Sequence, residues 1–120
     1  MTRSLRILLV EDHVDTQHVM SRLLRSCQHD VKSASSVATA LALASQHPFD
    51  LVISDVGLPD GSGAAMMEQL RIQYNLPGIA VSGYAMHDLH ADAKAAFAAH
   101  LIKPITIEQL EKVINKVIGE

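Results

Sequence analysis

The sequence carries a single cysteine, no tryptophan, and only two tyrosines and two phenylalanines. Cys27 has no second cysteine to bridge, and nothing supplies the Cys/His spacing of a zinc site, so a reducing compartment, the cytoplasm, is the location implied. Basic residues are in slight deficit: ten Lys and Arg face thirteen Asp and Glu, for a formal charge of −3. No basic stripe appears, which argues against direct nucleic-acid contact. Long apolar runs are also missing. The N-terminal run ends at Glu11-Asp12, too short for a signal sequence, and no run approaches a membrane-spanning length, so membrane contact by this domain is not expected. No low-complexity tract, internal repeat or linker is present. What remains is a chain of 120 residues, 48% hydrophobic and 19% charged. It reads as one compact domain, 1–120, able to bury about two thirds of its unfolded surface without disulfides.

Short apolar runs at 5–10, 30–34, 51–54, 78–82 and 101–102 alternate with stretches of helical periodicity. That alternation predicts βα units closing into a parallel sheet, an α/β fold. The first helix is expected over 14–27, with Val19, Met20, Leu23, Leu24 and Cys27 on one face. Ser35 or Ser36 caps a second helix that presents Val37, Ala40, Leu41 and Ala44 and ends before His47-Pro48. A third follows Gly61-Ser62-Gly63 with Met66, Met67 and Leu70. The fourth, 87–98, is alanine-rich and shallow on its buried side. Thr106 with Gln109 forms a capping box for the last helix, whose Leu110, Val113, Ile114, Val117 and Ile118 make one apolar stripe.

In such sheets ligands gather beyond the carboxyl ends of the strands. Those ends carry Glu11-Asp12, Asp55, Ser82 and Lys103. One strand ending in an acid is ordinary, because the following helix favours an acidic start. Three acids, a serine and a lysine at four strand ends form a pattern. If the first and third strands are neighbours, Glu11, Asp12 and Asp55 converge, and each pair repels by about 1 to 4 kcal/mol. Such a cluster needs a cation, and its oxygen donors suit Mg²⁺ or Mn²⁺. A divalent ion among carboxylates implies a phosphoryl substrate. Lys103 and Ser82 then suit the transferring oxygens, and Asp55 is the candidate nucleophile.

The set Leu8-Leu9-Val10-Glu11-Asp12, Asp55-Val56-Gly57-Leu58-Pro59-Asp60-Gly61, Val81-Ser82-Gly83 and Lys103-Pro104 resembles the receiver (response regulator) domain of two-component signalling, in order along the whole chain. The resemblance implies a flavodoxin-like (βα)5 doubly wound sheet with strand order 2-1-3-4-5. It further implies that Asp55 accepts a phosphoryl group, that Asp12 ligates Mg²⁺ with Glu11 assisting through water, and that the Gly57 carbonyl completes the protein's ligands. Ser82 and Lys103 then bind phosphoryl oxygens, and Lys103-Pro104 is cis, aiming the lysine inward; Pro104 taken alone reads equally well as a helix-entry turn residue. The implied donor is a histidine kinase or histidine phosphotransfer domain. The chain is then no enzyme beyond its own phosphorylation and slow dephosphorylation. A face built from the fourth helix, last strand and last helix would switch on phosphorylation, and a phosphorylation-dependent dimer is one output open to it. The stretches Asp55–Gly63 and Gly78–Tyr84 resemble receivers of hybrid sensor histidine kinases.

The family's usual inward-swinging aromatic, three positions before Lys103, is here His100, which reads either as a smaller version of that switch or as an exposed strand-start histidine. Tyr84 is a candidate gate, or a half-buried loop tyrosine. His13 and His18, and His87 and His90, read as solvated helical faces, with His13 near enough to touch phosphate. A phosphatase of the aspartyl-nucleophile type needs an acid two residues after the nucleophile, where Gly57 stands. The loop 57–63 has no phosphate-cradling Gly-Lys-Ser, and two acids after the first strand exclude a flavin phosphate there. A pseudo-receiver, acting by protein contact without phosphorylation, is the alternative.

Overall fold

A computed structural model of the chain describes residues 4–83 and 95–119. Five strands form one parallel sheet: β1 Arg6–Val10, β2 Asp30–Ala34, β3 Leu51–Asp55, β4 Gly78–Ser82 and β5 Ala99–Ile102. Their spatial order is β2-β1-β3-β4-β5, as expected. Between them lie α1 Val14–Ser26, α2 Val37–Gln46 and α3 Gly63–Tyr74, and the C-terminal helix spans Ile107–Ile118.

The strands are apolar on both faces because helices cover both. Successive strand side chains point to opposite sides, so Leu8, Val10, Val52 and Ala80 pack with α2 and α3, through Ala40, Ala44, Met66, Met67 and Leu70. Ile7, Leu9, Ile53, Ile79 and Val81 pack on the other side against Met20 and Leu24 of α1 and Leu110 and Ile114 of the C-terminal helix. The chain thus has two half-cores divided by the sheet. At Gly78 the β4 backbone approaches α3 so closely that a Cβ would collide with the Met67 sulfur.

Caps follow the local sequence. Ser36 accepts from the Thr39 amide to start α2, Ser62 accepts from Ala64 and Ala65 to start α3, and the Thr106–Gln109 capping box forms in full. Several expectations need correction. Cys27 is the C-cap of α1 and half-buried, and Val19 is 58% exposed, so neither joins the buried stripe. The last strand begins at Ala99, before the expected 101, because its ladder to β4 already pairs Ile79 with Ala99. A two-residue ribbon, Gly57–Leu58 against Gly61–Ser62, precedes α3 where a loop running straight into a helix was expected. Residues 95–96 are helical, but Phe97 and Ala98 are not, so the fourth helix stops short of 98; most of 87–98 lies outside the described residues. So do Tyr84, His87 and His90.

Candidate functional site

Register brings the acids together. Val10 of β1 pairs with Ser54 of β3, so the next residues, Glu11 and Asp55, stand about one strand spacing, roughly 4.8 Å, apart in backbone. Asp55 is the last residue of β3 rather than the first beyond it, and lies beside Val81 of β4. Its Oδ1 accepts from the Val56 amide at 2.7 Å, which sets the carboxylate's orientation. The Glu11 amide continues the ladder to Ala34 at 2.9 Å, and Gln17 of α1 donates to the Glu11 carbonyl at 2.9 Å. The Glu11 side chain is 1% exposed.

Lys103 enters from the far edge. Its amide extends the β4–β5 ladder by donating to the Ser82 carbonyl at 2.8 Å, and the Lys103-Pro104 bond is cis. The lysine Nζ donates to Glu11 Oε1 at 2.6 Å and to Asp55 Oδ2 at 3.3 Å. Burial alone would raise the Glu11 pKa, but the Lys103 hydrogen bond, the His13 amide and the Lys103 charge together hold it below the usual value. Burial pulls the Lys103 pKa down, while the Glu11 hydrogen bond and the Asp55 and Glu11 charges carry it above the ordinary lysine range. Both groups are therefore charged at neutral pH.

One ligand atom each from Glu11, Asp12, His13 and Asp55 lies within 4.8 Å of the others. Three carboxylates against one ammonium leave the site negative. Ser82 ends β4 at the same rim of the sheet and is 3% exposed. Gly57 opens the ribbon next to Asp55, with open space about its Cα. His100 is not an exposed strand start: it lies inside β5, half-buried, with its ring edge-on to Phe97 at 6.1 Å and 67°.

Asp60 took no part in the sequence-based site, although Pro59-Asp60-Gly61 is turn chemistry. Its carboxylate accepts from the Val37 and Ala38 amides at 2.8 and 3.0 Å, tying the ribbon to the start of α2. These two bonds hold its pKa below the usual carboxylate value.

The family model for the response regulator receiver domain matches residues 7–115. The chain belongs to that family. Among curated relatives, the receiver domain is 32% identical to a two-component response regulator of Arabidopsis thaliana, ARR10, across 95% of this chain and 21% of that protein. It thus spans about a fifth of the length of that relative. Among solved structures it is similar to a CheY-like receiver domain from Methylobacillus flagellatus, with 31% identity, a TM-score of 0.86, and coverage of 96% of this chain and 99% of that one. It is also similar to the receiver domain of the sensor histidine kinase PA1611 from Pseudomonas aeruginosa, whose active-site cleft coordinates a magnesium ion; identity is 27%, TM-score 0.88, and coverage 98% and 100%. The fold is the flavodoxin-like one of CheY-type proteins. No helix among the described residues is long and apolar enough to cross a membrane.

Proposed function

We propose that this receiver domain is a phosphoacceptor in a two-component relay, with Asp55 as the acceptor. The observation that carries the reading is the Asp55 carboxylate at the end of a central strand, held by the Val56 amide on one oxygen and facing Lys103 Nζ at 3.3 Å on the other. A carboxylate oxygen attacks the phosphorus of a partner's phosphohistidine; the O–P bond forms, the N–P bond breaks, and the imidazole leaves with the bond's electron pair and takes up a proton. Lys103 is placed to stay beside the new acyl phosphate, since its ammonium already bridges Glu11 and Asp55. Ser82, at the same rim, supplies a hydroxyl for a phosphoryl oxygen.

The donor set suits a hard divalent ion: carboxylate oxygens of Glu11, Asp12 and Asp55 lie within 4.8 Å of one another, with the Gly57 carbonyl as a further oxygen. Mg²⁺, or Mn²⁺ in its place, supplies neutralisation of the acidic cluster and of the incoming phosphoryl oxygens. Asp12 and Asp55 would hold it directly and Glu11 through water.

The partner is a histidine kinase or histidine phosphotransfer domain, whose phosphohistidine lies on a helical hairpin or bundle. Beside Lys103, a groove of about 450 Å³ between α1 and the start of the C-terminal helix is lined by Val19, Met20, Leu23, Pro104 and Leu110. Lys103 also lines this groove, which suits a helix laid across it. Ser82 and His100 carry the phosphorylated state toward β5 and the C-terminal helix, the surface offered to the output partner. Similarity to a receiver of a sensor histidine kinase supports a hybrid-kinase parent.

The test is intact-mass spectrometry of wild type and Asp55→Asn after acetyl phosphate with Mg²⁺. One added phosphoryl group in wild type alone, abolished by chelation, is the expected result. No gain from acetyl phosphate and none from phosphorylated histidine kinases would favour a pseudo-receiver that acts by contact.

A further inference from the structure

The ribbon beside Asp55 is too short to hold itself. It has two residue pairs, Gly57 with Ser62 and Leu58 with Gly61, fewer than a free-standing two-stranded unit needs in water. Gly57, Gly61 and Ser62 are exposed, and Leu58 is half-buried against the α2–α3 half-core. At the base of the ribbon the Gly63 amide donates to the Val56 carbonyl at 2.8 Å, and Ser62 caps α3. At its tip the anchor is Asp60. One carboxylate oxygen accepts from the Val37 amide at 2.8 Å and the other from the Ala38 amide at 3.0 Å. These are the first two amides of α2, which have no partner inside the helix, and the carboxylate lies at the positive end of the helix dipole. The entry to α2 is fixed in turn to the end of β1. Gln17 Nε2 donates to the Glu11 carbonyl at 2.9 Å and lies 3.3 Å from both the Ala34 carbonyl and Ser35 Oγ. The β2–α2 corner therefore joins the backbone that carries Glu11 to the backbone that follows Asp55.

We propose that Asp60 is a positioning residue for phosphoryl transfer: by fastening the ribbon tip to the first turn of α2, it fixes where the Gly57 backbone stands relative to Asp55 and the Glu11-Asp12 loop. The proposal rests on reading Asp55 as the acceptor and the Gly57 carbonyl as an oxygen donor to the ion. Asp60 itself touches neither the ion nor the phosphoryl group. Loss of its carboxylate leaves the reacting groups in the chain but frees the ribbon that carries Gly57. Ion binding weakens and transfer slows, because a site of this kind depends on the groups that orient its ligands.

Asp60→Ala is expected to bind Mg²⁺ about tenfold more weakly in calorimetry, and to be phosphorylated by acetyl phosphate about tenfold more slowly at low Mg²⁺. Val37→Pro removes one of the two donors and keeps α2, because proline suits the first helical position and Ser36 before it is extended. It is expected to lose about threefold in each readout, and the double variant to lose no more than Asp60→Ala alone. Asp50→Ala frees a different backbone amide from its carboxylate, that of Arg6 at the opposite rim of the sheet; it reads the effect of lost stability alone and is expected to keep wild-type Mg²⁺ affinity. Wild-type affinity and rate in Asp60→Ala, losses that add fully in the double variant, or an equal loss in Asp50→Ala overturn the positioning role and leave Asp55 standing as acceptor. A wild type that neither binds Mg²⁺ nor gains a phosphoryl group overturns the reading beneath it, and this proposal with it.

Discussion

Glu11 and Lys103 form the ion pair on which the site's stability depends. Glu11 is 1% exposed and Lys103 25%, so removing the lysine leaves a buried carboxylate facing Asp55 with no cation. Lys103→Met is expected to destabilise the chain by about 2 kcal/mol at neutral pH, less than a fully buried pair would lose because the lysine is partly solvated. The pH dependence follows from the two shifts. The depressed Glu11 pKa contributes stability that is present above the ordinary glutamate value and lost as pH falls through the folded one; the raised Lys103 pKa contributes stability present below the ordinary lysine value and lost as pH rises through the folded one. The difference between wild type and Lys103→Met is therefore largest at neutral pH and shrinks on acidification, which urea titrations across pH will read. A gap independent of pH would contradict the pairing. Asp12→Asn should act in the opposite direction in the presence of a chelator, gaining about 1 kcal/mol as like-charge repulsion is relieved, while losing Mg²⁺ affinity in a calorimetric titration. Glu11, Asp12, Asp55, Ser82 and Lys103 were legible in the sequence because each sits where an apolar strand gives way to a polar residue. Asp60 was not, because its contacts with the Val37 and Ala38 amides depend on loop geometry that strand periodicity does not encode.

Elements were legible to the degree that burial on one side dominated their pattern. The C-terminal helix showed both its cap and its stripe, and Thr106→Ala is expected to cost about 1 kcal/mol in chemical denaturation. For α1 the apolar residues spread too widely. Met20, Ser21 and Leu24 are buried, while Val19, about 100° around the helix from Met20, faces the groove beside Lys103 and Pro104. The ribbon at 57–62 was invisible because two-residue strands have no period to read. Its junction with α3 allows a sharp test. A Cβ at Gly63 would meet the backbone carbonyls of Asp55 and Val56, neither of which can swing aside as a side chain would. Gly63→Ala should therefore lower both the melting temperature and the rate of phosphorylation by acetyl phosphate. A variant that melts earlier but is phosphorylated at the wild-type rate would show that the junction does not position Asp55.

At the scale of the molecule, the doubly wound sheet separates two tasks. The half-cores on its faces hold the strands rigid, and the strand ends on one rim collect the charged groups. That order was readable from the sequence, since both-sided burial leaves continuous apolar strands and forces polar residues to their ends. How the site reaches the rest of the fold was not readable, because it depends on tertiary neighbours such as Phe97, which meets His100 edge-on. If Ser82 and His100 carry the phosphorylated state outward, beryllofluoride with Mg²⁺ should shift the Phe97 and His100 ring resonances, and Asp55→Asn should abolish the shifts. Changes confined to Glu11, Asp12 and Asp55 would contradict that coupling.

The central claim, that Asp55 accepts the phosphoryl group, is tested most directly by borohydride reduction after treatment with acetyl phosphate and Mg²⁺, followed by peptide mass spectrometry. Reduction converts an aspartyl phosphate to homoserine. The account predicts homoserine at position 55 alone, absent when Mg²⁺ is chelated. Homoserine at position 12, or a phosphoryl group that resists reduction and maps to His13, would contradict it.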